Sequence, residues 1–424
     1  MRWEVGHGGS GGGGAAAAPL ALLLLATLCA CGGRATLRDG VADLYAGRTA
    51  AADASLARYG ARVGENDRPL YLLNAALVKQ LRGEYAASNR LFAEADQRVE
   101  RAITMSVSRE AASFLVNDQT RPYTGHPFEQ PLIPYYKALN YLLLDDPAGA
   151  AVEARRLNLR LAALESSLTG SDLAREVGFL RAFAGIVYEA AGEANDALVS
   201  NRLALAAYEA AGGPPADLVA ATLRLADRLG LPEVAAEIAA RHPGMDPPLA
   251  DAEAVVVVDA GRIPHRQSES VIVPGPEFPV RLSLPGLTGG GGGHRQVVAR
   301  SATATVSAWL AVDLGAAARA DLEAARGNDL ARLVARLVTK EVVARKVRRD
   351  HGDVAGLLVW AVNIATEVAE TRAWETLPAA IYLARLPLAA GSATVEVSVD
   401  GQMVASRSLV VEAGKFYLVK ARRY

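Results

Sequence analysis

Cysteine is almost missing from this chain: Cys29 and Cys31 are its only two, and none follows position 31. The body of the chain therefore has no disulfide framework, no cysteine metal site and no thiolate nucleophile. An excess of one charge is missing too, since 45 basic residues stand against 46 acidic ones and leave a formal net charge of −1. Phosphate binding wants a concentrated basic surface, so no nucleic-acid partner is expected. Histidine is sparse and scattered, at positions 7, 126, 242, 265, 294 and 351. With no H-E-x-x-H and no paired histidines, the sequence predicts neither a metal site nor a cofactor. There is no P-loop, and the single G-x-S-x-G, Gly8–Gly12, lies in the leader. The glycine run 289–293 has a dinucleotide-like spacing, but no helix opens directly behind it, so nucleotide binding is not expected. The strongly apolar run Leu20–Leu28 is too short for a comfortable membrane span.

What that run does fit is the apolar core of a signal peptide, followed by Leu28-Cys29-Ala30-Cys31. These residues resemble the lipobox of bacterial lipoproteins, in which a small residue precedes the cysteine that is acylated and becomes the mature N-terminus. Ala30 marks Cys31 as that residue, whereas Leu28 fits Cys29 poorly; a cysteine two places before the anchor departs from the usual Ala or Ser. Residues 1–30 are then a signal peptide, with the position of the true start, at Met1 or beyond the glycine-rich opening, left open. Plain secretory cleavage near Ala30 is the alternative. Gly32 stands where enteric lipoproteins retained in the inner membrane have aspartate, so the resemblance implies the outer membrane, periplasmic face. Several acyl chains hold firmly at about 0.8 kcal/mol per buried methylene.

From Leu37 to about Arg241 the chain reads as successive helices, and residues 31–246 are expected to form one helical domain. Gly83, Tyr85, Phe92 and Ala95 have the spacing of the turn and second helix of a tetratricopeptide repeat, where small residues let helices cross closely. The outline returns at Gly192, Ala197 and Ala204, with Asn201 in the aromatic place. It returns again at Ala150 and Ala154, with Asp145 for the glycine, and more weakly around Gly230. Intervals of 62 and 47 residues between these turns, against about 34 for ordinary repeats, predict an irregular array. An unrelated Ala-rich bundle is the alternative. Stacked helix pairs offer an extended concave surface suited to a peptide or protein.

The Pro/Gly break 241–251 marks the boundary, and 247–424 is expected to be a mixed α/β domain. The valines of EAVVVVDAG predict a buried strand. Short extended pieces are expected at Val271–Val273 and Val280–Leu284, then a flexible loop over 285–296. Asn328 or Asp329 is expected to cap a helix with an apolar stripe from Leu330 to Val343 and a basic run through Arg349. That run is either a solvated face or a contact for anionic lipid or an acidic partner. A second apolar helix is expected over 356–370. Strands at Ala380–Leu386, Thr394–Val399, Ser406–Val411 and Lys415–Ala421, turning at Asp400-Gly401 and Glu412-Ala413-Gly414, predict a closing antiparallel sheet.

Two stretches are unusually dense in polar and aromatic residues: RPYTGHPFEQPLIPYYKALNYLLL, 121–144, and ATEVAETRAWETLP, 365–378. His126 and Glu129 are three apart, as an acid–base pair or two metal ligands on a helix would be. Pro127 makes that geometry awkward, and no third ligand is evident. Glu367 and Glu370 beside Arg372 and Trp374 would serve a glycan-binding or glycan-processing protein; the plainer reading pairs Arg372 with a carboxylate and packs Trp374 beneath the β-domain.

Together the two stretches resemble a family of uncharacterised bacterial lipoproteins with a tetratricopeptide-like N-terminal half. Gly125, Phe128 and Glu129 stand at its first block, followed by Tyr135, Tyr136, Leu139, Asn140 and Tyr141 and then Glu153, Ala154, Arg155 and Arg156. Thr371, Arg372, Trp374, Thr376, Leu377 and Pro378 match its second block, with Glu370 in place of aspartate. The resemblance implies an envelope lipoprotein and supplies no catalytic residue. The sequence thus predicts a non-enzymatic α+β protein, lipid-anchored at Cys31, that acts as a scaffold for a protein partner in envelope assembly or maintenance. The candidate contacts are Arg121, Tyr123, His126, Phe128, Glu129, Tyr135, Tyr136, Arg155, Arg156, Arg372 and Trp374. A glycan-directed protein, and an accessory lipoprotein of a secretion or surface-appendage system, are the alternatives; oligomeric state is left open.

Overall fold

A computed structural model describes residues 37–107, 121–167, 170–245, 252–273, 280–292, 295–351 and 369–424. The first half is a row of helical hairpins. Its helices are α1 (37–45), α2 (Thr49–Gly60), α3 (Arg68–Leu81), α4 (Tyr85–Val107), α5 (Leu132–Leu143), α6 (Pro147–Ala163), α7 (Ser171–Ala190), α8 (Ala194–Ala210), α9 (Ala216–Arg228) and α10 (Pro232–Arg241). The turns α1/α2, α3/α4, α5/α6, α7/α8 and α9/α10 each carry one left-handed residue: Gly47, Gly83, Asp145, Gly192 and Gly230, with φ between 58° and 77°. Glycine enters that region freely, and aspartate is among the few other residues that tolerate it, which is why Asp145 serves where its counterparts are glycine. The Ala-rich faces interlock closely: a Cβ on Gly185 of α7 would lie 1.9 Å from Asn201 Oδ1 of α8. Asn201 thus takes the aromatic's place in the repeat because its partner helix offers a glycine rather than a gap.

Among the described residues, the second half contains ten strands. A central sheet has the order β10 (Phe416–Arg423), β1 (Ala252–Ala260), β7 (Ala380–Leu388), β6 (Trp309–Asp313). A second has the order β5 (Thr305–Ser307), β4 (Val297–Arg300), β8 (Gly391–Val399), β9 (Gln402–Val411). β2 (His265–Val273) and β3 (Val280–Thr288) form a separate antiparallel ribbon, and α11 runs from Leu314 to His351. The valine run of β1 is buried on both faces, as its composition requires. Val255 and Val257 face the helical array, whereas Ala254, Val256 and Val258 face the second sheet. The molecule is therefore layered as helices, sheet, sheet, and the core between the first two layers extends from Leu37 to Leu418.

Several expectations need correction. The tail does not close one antiparallel sheet: β8 and β9 form a hairpin on the outer sheet, and β10 crosses to pair in parallel with β1. Apolar alternation in β10 is equally compatible with either sheet, so its partner is set by tertiary packing. Residues 285–296 are not one loop, since β3 continues to Thr288 and Gly291 exchanges two backbone hydrogen bonds with Arg262. The cap of α11 is Asp313, whose Oδ1 accepts the Ala316 N–H at 2.8 Å, and not Asn328 or Asp329, which lie mid-helix. The apolar helix expected over 356–370 falls mostly outside the described residues. Among those residues, no helix is long and apolar enough to cross a membrane.

Candidate functional site

The two polar stretches, some 245 residues apart, meet. After Pro122 the chain forms an extended link that ties its Tyr123 N–H to Asn66 O of the α2–α3 loop, then turns at left-handed Gly125 into a short turn that feeds α5. Prolines keep this piece from joining the helix early. Residues 370–377 lie across it on the way into β7. Glu129 is the meeting point, with 1% of its surface exposed. Its Oε1 accepts the Trp374 N–H at 2.8 Å, and its Oε2 accepts the His126 N–H at 3.0 Å and the Tyr123 hydroxyl. Burial raises the Glu129 carboxyl to about 7 against the pull of these donors. The His126 Nε2–H donates to Arg372 O at 2.8 Å, which fixes the tautomer and leaves Nδ1 facing Asp321. Burial first, and Arg266 second, hold this imidazole well below its ordinary pKa, so it is neutral.

Arg372 is 7% exposed and fully engaged. Its guanidinium forks onto Glu370, at 2.9 Å from Nε and 2.5 Å from Nη2, and Nη1 donates to Asp67 at 3.0 Å and to Arg121 O at 2.9 Å. The pairing of Arg372 with a carboxylate is thus the plain one. Trp374 packs in the core between the array and the central sheet, with Phe92 and Tyr136 each 5.7 Å away in edge contact and its Nε1–H on Thr376. The Thr376 N–H in turn donates to Asn74 Oδ1 of α3 at 3.1 Å.

This geometry removes several candidate contacts from the surface. Phe128, Glu129, Tyr135, Tyr136 and Trp374 are all 2% exposed or less, so none can meet a partner. They are buried because the chain's own central sheet covers the array's inner face, which closes the groove that was expected there. A buried Trp374 also offers no platform for a sugar ring, and Glu367 lies outside the described residues. Arg155 and Arg156 remain exposed on α6, with Arg155 reaching Glu193 at 2.6 Å. Arg121, Tyr123, His126 and Arg372 line a cleft of about 230 Å³ where the two halves meet.

Sequence reasoning missed three members of this neighbourhood. Arg266 of β2 and Asp321 of α11, both 5% exposed or less, pair at 3.0 Å, and burial raises Asp321 to about 6. Glu176 of α7 is wholly buried with neither carboxyl oxygen bonded, and burial beside Asp321 and Glu129 raises it well above the carboxylate range. A lone acidic residue inside an apolar helix face, as in LAREVGFL, was the available signal. Among the described residues, no group of three or more His, Cys, Asp or Glu side chains is placed to hold a metal.

Compared with protein families and with curated proteins, the sequence matches none. Among solved structures the fold is similar to the apo form of RapI, at 11% identity over 50% of this chain and 69% of that one, with a TM-score of 0.37. It is similar also to PilF of Pseudomonas aeruginosa, at 16% identity over 51% and 94%, TM-score 0.25. A tetratricopeptide repeat protein from Parabacteroides merdae is a third, at 13% identity over 50% and 93%, TM-score 0.17. The chain is a helical-hairpin array completed by a mixed α/β half.

Proposed function

We propose that this chain is a non-enzymatic lipoprotein, anchored at Cys31 to the periplasmic face of the outer membrane, that acts as a rigid scaffold for a protein partner in envelope assembly or maintenance. The observation that carries the scaffold reading is the outward face of α6 and α8. Val152, Leu159, Val199 and Leu203 are exposed there beside Arg155, Arg156 and Arg202, and Leu159 reaches 72%. Val152 and Val199 stand seven residues after their turns, and Arg155 and Arg202 ten, so the hairpin repeat sets out the same apolar and basic pair twice. Apolar anchors beside arginine are the composition of protein interfaces. The polar stretches support the reading differently: their hydrogen-bonding groups are engaged in holding the halves together, which leaves Glu129 without a reacting partner.

A photoreactive residue placed at Leu159 or Val199 in cells should give one discrete protein adduct, and the same probe at Met403 on the outer sheet should give none. Equal adducts at both places, or none at the array, would overturn the scaffold reading. For the anchor, Cys31→Ala should move the protein from the membrane to the soluble fraction; retention of the variant would refute lipidation.

A further inference from the structure

We propose that a buried polar cluster between the helical array and the central sheet, formed by Tyr135, Tyr136, Asp259 and Arg422, is a binding site for ordered water. Val255 and Val257 of β1 and Leu418 of β10 face the array, and the residues between them face the second sheet. Side chains alternate along a strand, so Asp259 of β1 and Lys420 and Arg422 of β10 also face the array, where α5 presents Tyr135 and Tyr136. Lys420 closes on Asp259 Oδ2 at 2.5 Å. Five other buried polar atoms have no hydrogen-bond partner among the described residues: the two tyrosine hydroxyls, Asp259 Oδ1, and Arg422 Nε and Nη1. Asp259 is near enough for its charge to act on both phenols, and Arg422 near enough to act on that of Tyr136. Each approach nevertheless stops short of bonding distance, the separation that a bridging water spans. Interiors pair buried polar groups almost without exception, with protein or with ordered water.

The chemistry of the cluster selects water. Burial first, and the Asp259 charge second, hold both phenols well above their ordinary pKa, so both keep their protons and donate. Asp259 Oδ1 only accepts. The ligand must therefore accept and donate at once, which an anion beside a carboxylate does not do. Arg422 does not call for an anion either. Its Nη2 donates to Thr376 O at 2.8 Å, and its guanidinium lies over the rings of Tyr45 and Tyr424, at 5.6 and 5.1 Å, whose π faces meet its charge. Tyr135, Tyr136 and Asp259 are all 0% exposed, so a solute larger than water has no way in while the layers stay closed. A buried water takes two to four polar partners, and the two hydroxyls with Asp259 Oδ1 offer three. The site does not involve the exposed face of α6 and α8, so it stands or falls independently of the scaffold reading.

The test compares the full chain with its Tyr135→Phe, Tyr136→Phe double variant by water oxygen-17 magnetic relaxation dispersion, which counts long-lived internal waters and is blind to exchanging hydroxyl protons. The variant keeps the ring volumes, so the layers still close, but leaves any water there with Asp259 and Arg422 alone. The dispersion amplitude should fall by the equivalent of at least one water. In urea unfolding, each single variant should lower the folding equilibrium constant about three- to tenfold, because a bonded hydroxyl is lost. A hydroxyl with no partner would give the opposite sign, since its removal relieves a buried polar group. An unchanged amplitude, whatever the stability, or a gain in stability on removing the hydroxyls, would overturn the site. So would a wild-type stability that rises saturably with chloride at constant ionic strength and loses that response in the variant, because an anion would then occupy the cluster.

Discussion

Removing the Glu129 carboxylate should separate the two halves energetically. In Glu129→Ala three donors lose their acceptor: the backbone N–H groups of Trp374 and His126 and the Tyr123 hydroxyl. Tyr123 and His126 border the cleft, where water can partly replace the carboxylate, whereas Trp374 is 0% exposed and its N–H has no such recourse. At about 1–3 kcal/mol for each stranded donor, less what water returns, the loss should be about 3–5 kcal/mol. That is a large share of the roughly 5–15 kcal/mol that holds an ordinary domain folded. Glu129→Gln keeps one oxygen but turns an N–H toward a donor, so about 2 kcal/mol is expected. Urea unfolding reads both as a lower midpoint at unchanged slope. Tyr123→Phe should cost about 1 kcal/mol alone and almost nothing in the Glu129→Ala background, because the bond is already lost there. A Glu129→Ala loss below about 1 kcal/mol, or full additivity with Tyr123→Phe, would refute the reasoning.

Other outcomes follow from the same geometry. Gly192→Ala should cost about 1–2 kcal/mol by thermal or urea melting, from φ alone, since a Cβ there would meet nothing within 4 Å. Glu129, Asp321 and Glu176 all have folded-state pKa values raised above their unfolded ones. The folded chain then holds more protons than the unfolded one, so stability present at mildly acidic pH is lost as pH climbs through about 6 to 7 and beyond. Glu176→Gln, which mimics the protonated acid, should flatten that decline; an unchanged slope in urea midpoints against pH would show Glu176 to be ionised in the fold. Arg385 joins β7 to Glu189 of α7 at 2.5 Å and to Glu253 of β1 at 3.2 Å. Arg385→Ala should cost about 3 kcal/mol by leaving Glu189 without its cation, while Glu253 keeps Arg224 at 2.8 Å, and a near-neutral result by calorimetry would contradict that role.

Much of the helical half was legible in the sequence because its signals are local. Left-handed turns at Gly83, Gly192 and Gly230 declare themselves by glycine, and Asp145 could be placed among them because the small residues Ala150 and Ala154 follow at the same spacing. Strands β7 to β9 were legible from β-branching and from Asp400-Gly401, both of which take positive φ. What stayed hidden depends on distant pairing. Nothing local in FYLVKARR says that β10 pairs in parallel with β1, and no spacing links Glu129 to Trp374. The hydroxyls of Tyr135 and Tyr136 on α5 suit water and suggest surface contacts, yet the covering sheet buries both side chains. Arg266 and Asp321 were missed for the same reason: each is an ordinary polar residue until the ribbon meets α11. The dense polar stretches did mark a place where unusual chemistry is needed, but the need is for a joint between two layers.

Amide hydrogen exchange at Trp374 tests that joint most directly. In the full wild-type chain the Trp374 N–H, held by Glu129, should exchange only as slowly as the central amides of β1, and Glu129→Ala should accelerate it well beyond any change in β1. Fast exchange in the wild type, or equal acceleration of Trp374 and β1 in the variant, would contradict the claim that this carboxylate locks the two halves together.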